Sequence, residues 1–149
     1  MRTDDLRIGA AAALIWDMLD DMVLTILRSD ISTMPLTWCL PGGHVESGED
    51  HDQAVVRECR EEIGRDLSAR PRALLLRRET QEPRFLHHDY VIAVPRRFDP
   101  KLNWEHVDHQ WTPLSELPEP QAWPLQLLLS NDGAAKRLKA FQEKARKAG

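Results

Sequence analysis

The sequence predicts an α/β sandwich, and three observations lead there. Two apolar runs, residues 6–16 and 22–28, flank a turn rich in aspartate (Asp17, Asp20, Asp21), the pattern of a strand hairpin. A capped amphipathic segment at residues 51–63 reads as a helix. Two further strand-like runs, 73–79 and 85–94, then precede a leucine-patterned helical segment near the end of the chain.

The first run carries alanines that allow close packing, and Arg28 ends the second just before a polar loop at residues 29–37. The central helix is bounded by Asp50 at the N-cap position, with Gln53 three residues on to complete a capping box, and by Gly64 as its stop. Val55, Val56, Cys59 and Ile63 recur at helical steps, so one face packs on a core. The later strands are joined by a loop at residues 81–83. Between residues 123 and 147, Leu125, Leu128, Leu129, Leu138 and Phe141 define a terminal helix with a break expected at residues 131–133 and a basic end that suits the helix dipole.

The chemistry is concentrated between Trp38 and Arg65. Gly43 is followed after five residues by Glu49, and after seven more by Arg57, Glu58, Glu61, Glu62 and Gly64. Glu58, Glu61 and Glu62 stand at i, i+3 and i+4 and share a helix face. Like charges at that spacing cost about 0.2–0.5 kcal/mol per pair, and the helix C-terminus disfavours them further. A solvated acidic face partly neutralised by Arg57 and Arg60 is the bland account. A glycine turn at fixed spacing is not required by solvation, whereas a divalent cation would make the cluster favourable. Magnesium takes hard oxygen ligands and shares them with substrate phosphates. Gly42 and Gly43 permit a close backbone approach to such a ligand.

This segment resembles the signature of the Nudix hydrolases: a glycine, five residues, a glutamate, seven residues, then Arg-Glu-aliphatic-x-Glu-Glu-x-Gly-aliphatic. Cys59 fills one aliphatic position, a mild change because free cysteine packs as a small hydrophobe. Arg65 fills the other, and Leu67 is placed to take over its contact. The resemblance implies a mixed sheet between helices, a Nudix-type α/β/α sandwich, with residues 1–149 as one domain. It implies hydrolysis of a nucleoside diphosphate linked to another group, with magnesium as cofactor and manganese as its substitute. Glu58, Glu61 and Glu62 would ligate the metal together with the Gly42 carbonyl, and Arg57 would pair with Glu49 to hold the loop against the helix. Gly43, Arg28 and Trp38 would face the substrate. For Arg28 an ordinary surface arginine is the alternative, and for Trp38 a core position.

Residues 103–118 resemble the region after the signature, where a loop glutamate precedes a tryptophan strand and a short helix. Here these are Glu105, Trp111 and Glu116-Leu117. Glu105 would complete a metal's coordination or accept the proton of the attacking water, with Glu116 as its rival and an exposed loop residue as the alternative. His106 and His109 read as surface residues rather than a second metal site. His87, His88 and Tyr90 read as a polar strand face, and Arg77, Arg78, Arg84, Arg96 and Arg97 as mostly solvated.

A formal charge of −4 argues against a sequence-independent nucleic-acid binder. The apolar segment at residues 8–15 is too short for a membrane span, and residues 1–5 lack the basic start of a signal peptide. Two cysteines imply no disulfide framework and fit a reducing cytoplasm. The expected partner is a small nucleotide or related diphosphate; homodimers are frequent in the family this chain resembles. A ligand-binding module without turnover and a hydrolase of RNA 5′ ends are the other classes, the first disfavoured by the intact acidic set and the second by the charge.

Overall fold

The computed structural model of the protein describes residues 9–148. The start of the first expected strand, residues 6–8, and the N-terminal residues 1–5 lie outside them. Seven strands form one mixed sheet: β1 (Gly9–Asp17), β2 (Met22–Arg28), β3 (Trp38–Cys39), β4 (Gly42–His44), β5 (Arg72–Thr80), β6 (Phe85–Val94) and β7 (His106–Thr112). Its order is β3-β2-β1-β6-β5, with β4 added to β1 and β7 to β2. The β1–β6 pair is parallel and the other pairs are antiparallel.

The sheet lies between helices, as the period-two alternation of β1 makes plain. Ala11, Ala13 and Ile15 pack with Val55, Cys59 and Ile63 of α1 (His51–Ile63). Leu14 and Trp16 face the other way, onto Leu125 and Leu128 of α2 (Trp123–Leu129) and Leu138 of α3 (Asp132–Ala148). Buried on both faces, β1 therefore reads as a nearly continuous apolar run rather than an alternating one.

The expected hairpin is present only at its turn. β1 and β2 pair at Trp16↔Val23 and Asp17↔Met22, where the Asp17 carboxylate accepts the Leu19 and Asp20 amides at 2.8 and 3.2 Å. Beyond that point the two strands take different partners. β1 pairs with β4 from Ala10↔His44 to Ala12↔Gly42, while β2 pairs with β3 and with β7. The splay opens a cleft at the centre of the sheet. β3 and β4, too short to carry a periodic signal, were not expected from the sequence and line that cleft.

Around α1 the local signals are all present. Asp50 Oδ1 accepts the Gln53 amide at 2.7 Å, Gln53 Oε1 accepts the Asp50 amide at 2.9 Å, and Gly64 ends the helix with φ 69°. Leu67 is buried in the α1-side core, and the Arg65 guanidinium lies 4.3 Å from the Phe98 ring centroid. Thus an arginine tolerates the aliphatic position by stacking outward on an aromatic ring. The terminal helix is broken near the expected place: α2 stops at Leu129, and the Asn131 side chain accepts the Ala134 amide to begin α3. Among the described residues no helix is long and apolar enough to cross a membrane.

Candidate active site

Arg57 organises the acidic turn of α1. Its Nε and Nη2 donate to the two carboxylate oxygens of Glu49 at 2.8 and 3.0 Å, and Nη2 also reaches the His44 carbonyl at 2.9 Å. Its Nη1 donates to Glu58 and Glu61 at 3.0 and 3.1 Å. One planar fork therefore ties the loop of residues 44–49 to the helix, a bidentate geometry that lysine could not reproduce. The Glu49 carboxyl is held below the usual range, chiefly by its hydrogen bond to Arg57.

The three glutamates of the helix separate in environment. Glu61 is half exposed, while Glu58 is 13% exposed at its side chain and Glu62 is buried. Glu62 Oε1 accepts the Gly42 amide at 2.9 Å. A Cβ on Gly43 would strike the Glu58 carboxylate, and one on Gly42 would strike the Ala11 carbonyl and the Ala12 backbone. The two glycines thus let the chain pass between β1 and a pair of carboxylates.

Burial pushes the Glu62 carboxyl up to about 9; the Gly42 N–H opposes this, and Glu58 and Glu105 add repulsion. Burial also raises Glu58, in spite of Arg57. A buried carboxylate is costly unless a cation accompanies it. Among the described residues no three His, Cys, Asp or Glu side chains form a ready metal cage. Glu62 and Glu105 nevertheless line one cavity with Gly43, against which the Glu58 carboxylate packs. Magnesium needs only one or two protein carboxylates beside waters and phosphate oxygens, so this hard, desolvated oxygen set fits it.

A cavity of about 510 Å³ opens from this point, lined at one end by Gly42, Gly43, Glu62, Glu105 and Arg28. Glu105 lies just before β7, where its amide donates to Asn103 Oδ1 at 3.1 Å and its carbonyl accepts the Ser29 amide at 2.8 Å. Glu116, its rival, is exposed on a short 3₁₀ turn (Leu114–Glu116) and does not line the cavity. Arg28 reaches the cavity while donating to the Thr33 hydroxyl at 2.8 Å. Trp38 is 7% exposed and absent from the lining; its amide donates to Pro120 and its carbonyl accepts from Ala122, an interior position in β3.

Of the two histidines expected at the surface, His106 is instead in the interior, because β7 turns it inward against β3. His106 is buried with its Nε2 3.7 Å from Cys39 Sγ, and burial lowers its pKa to about 4. His109 is 3.8 Å from Asp99. At the opposite end of the cavity Arg78, Thr80, Phe85, His87, Asp89 and Trp123 meet, a grouping that the sequence does not show. Arg78 and His87 are register partners across β5 and β6, and Ala10 and Ala12 of β1 stand beside His87 and Asp89. Those small side chains leave the space. The alternation of β6 was the available signal, but which partner strand faced it was not.

Residues 6–130 match the family model described as the NUDIX domain. A solved MutT NUDIX hydrolase from Burkholderia pseudomallei is 25% identical with a TM-score of 0.69, covering 83% of this chain and 96% of its own. The NUDIX domain of Shewanella oneidensis NrtR, solved with ADP ribose, shares the fold at 21% identity and a TM-score of 0.68, covering 89% of this chain and 88% of its own. A Caenorhabditis elegans protein provisionally named nudix hydrolase 1 is 34% identical over 61 residues, 41% of this chain; the match spans only 17% of that relative's length. With a family model that spans residues 6–130, and a signature and a sandwich that agree with it, the chain belongs to the NUDIX domain family.

Proposed function

We propose that the protein is a magnesium-dependent hydrolase that cleaves a pyrophosphate bond in a nucleoside diphosphate linked to another group. The observation that carries this reading is the meeting of the buried Glu62 of α1 with Glu105 of the loop before β7 at one end of a nucleotide-sized cavity. Glu58, Glu62 and Glu105 would hold the cation with the Gly42 carbonyl, and Glu61 stands at the solvent side of the same face. When bound, magnesium neutralises phosphate oxygens and lowers the pKa of water.

The chain's own residues supply position and charge. Arg57 fixes Glu49, Glu58 and the glycine turn, so the carboxylates need no reorganisation when substrate arrives. Arg28, at the cavity wall, offers a cation to a phosphate. In the reaction the water oxygen bonds to phosphorus as the bridging P–O bond breaks, and the water's proton passes to a carboxylate, a role that Glu105 would take as the alternative to holding the cation. Both free cysteines, Cys39 and Cys59, are buried, which supports a reducing compartment such as the cytoplasm.

The test is a panel of nucleoside triphosphates, nucleotide sugars and dinucleoside polyphosphates, incubated with magnesium and read by phosphate and pyrophosphate release. Turnover abolished by excess chelator and restored by magnesium is expected. Tight binding of panel members with no release under any metal condition would instead identify a binding module.

A further inference from the structure

The end of the cavity remote from the carboxylates holds polar groups that the proposed hydrolysis does not use. Arg78 Nε and Nη2 are buried there and have no partner among the described residues. The same edge is filled on two other arginines: Arg57 spends it on Glu49 and Arg72 on Asp52, each with both donors on one carboxylate. Arg78 therefore carries an unfilled two-donor fork in the wall of the cavity. Its guanidinium is also held 5.7 Å from the Trp123 ring centroid, at the start of α2.

Asp89 stands on the same sheet face, two residues along β6 from the register partner of Arg78. Its side chain is 3% exposed; Oδ1 is engaged by His87 Nε2 at 2.9 Å, and Oδ2 is buried without a partner. An unfilled arginine fork alone would suit a phosphate or a carboxylate. The buried Asp89 in the wall of the same cavity disfavours an anion there, and so favours a neutral group that accepts from Arg78 and donates to Asp89. Phe85 and Trp123 on the walls suit a flat ring.

We propose that this end of the cavity reads a nucleobase edge carrying two adjacent acceptors beside a donor. Guanine has that edge in N7, O6 and N1–H, and cytosine has it in O2, N3 and the amino group; adenine and uracil alternate acceptor and donor and lack it. The inference rests on reading the cavity as a nucleotide site and adds which nucleotides it takes.

The experiment measures equilibrium binding of GDP, CDP, ADP and UDP with magnesium, alongside phosphate release from the four triphosphates. At least one of GDP and CDP is expected to bind about tenfold or more tightly than ADP and UDP, the scale of one bidentate base contact. Arg78→Lys keeps the charge and loses the fork, and is expected to bring the four within about twofold; Asp89→Asn, as a second variant checked by thermal melting, is expected to narrow the ranking too. Arg77→Ala, which removes an exposed partner of Glu79, is expected to leave it unchanged. Equal binding of all four bases, no binding of any, or a ranking that survives in folded Arg78→Lys overturns the proposal. Unranked binding with phosphate release leaves the hydrolase reading standing, whereas ranked binding without release removes that reading and keeps this one.

Discussion

At the scale of single residues, the helix glutamates that the sequence presents as equals differ in burial, and their substitutions should differ accordingly. Glu62→Gln preserves the acceptor for the Gly42 amide and removes a carboxyl that burial makes costly to ionise and that a bound cation would need ionised. Turnover is expected to fall by orders of magnitude while the melting temperature of the metal-free protein holds or rises, measured by phosphate release and calorimetry. Wild-type turnover in this variant would remove Glu62 from the site. Arg57→Lys should lose most activity because a lysine cannot span Glu49, Glu58 and the His44 carbonyl together. Arg60, exposed and paired with Asp66, should tolerate alanine; equal losses at the two arginines would show the helix face to be misassigned. Glu105→Gln should reduce turnover far more than Glu116→Gln, since only the former lines the cavity. Identical rates in both variants would release Glu105 from any role.

At the scale of elements, α1 is a rigid mount whose ends are set locally. The reciprocal Asp50–Gln53 cap is expected to be worth about 1 kcal/mol, so Asp50→Ala should lower denaturant stability by roughly that amount. Its effect on turnover should be smaller than that of Arg57→Lys, because the cap fixes the helix start and Arg57 fixes the carboxylates. Gly64→Ala would force a side chain into φ 69° and against Lys101, and should cost at least as much. A neutral result at both ends would mean that tertiary packing alone sets the helix boundaries.

For the whole molecule, part of the acid-side pH dependence of stability comes from a histidine of β6. Burial lowers the His88 pKa to about 4, helped by His51, Arg77 and His87 and opposed by Asp89. Its ring stacks on His51 of α1, with centroids 3.9 Å apart, and its Nδ1 lies 3.2 Å from the Tyr90 hydroxyl. Below the ordinary value of 6.5 the unfolded chain takes up a proton that the folded chain refuses until about pH 4. The part of the stability that depends on His88 should therefore be level above about pH 6.5 and decline as pH falls toward 4, and buried His106, lowered to about the same value, adds to that decline. His88→Phe should flatten that decline in thermal melts across the range; an unchanged slope would exclude His88 as its source.

The sequence alone determined the sandwich class, the ends of α1 and the membership of the acidic turn, because caps, glycine stops and helical spacing act over a few residues. It could also place Glu105 ahead of a tryptophan strand. Only the tertiary structure decided that β1 and β2 part after two residue pairs, that β4 fills the gap, and that Glu62 is buried while Glu61 is not. Trp38 went to the interior for the same reason: two-residue β3 is held by backbone bonds to residues 120 and 122, far along the chain. Arg78 and Asp89 share a cavity only through the register of β5 on β6 and the small alanines of β1. Strand partnership depends on which distant segment completes the hydrogen bonds of a backbone edge, and a single strand's pattern shows which residues face the same way but not what they face.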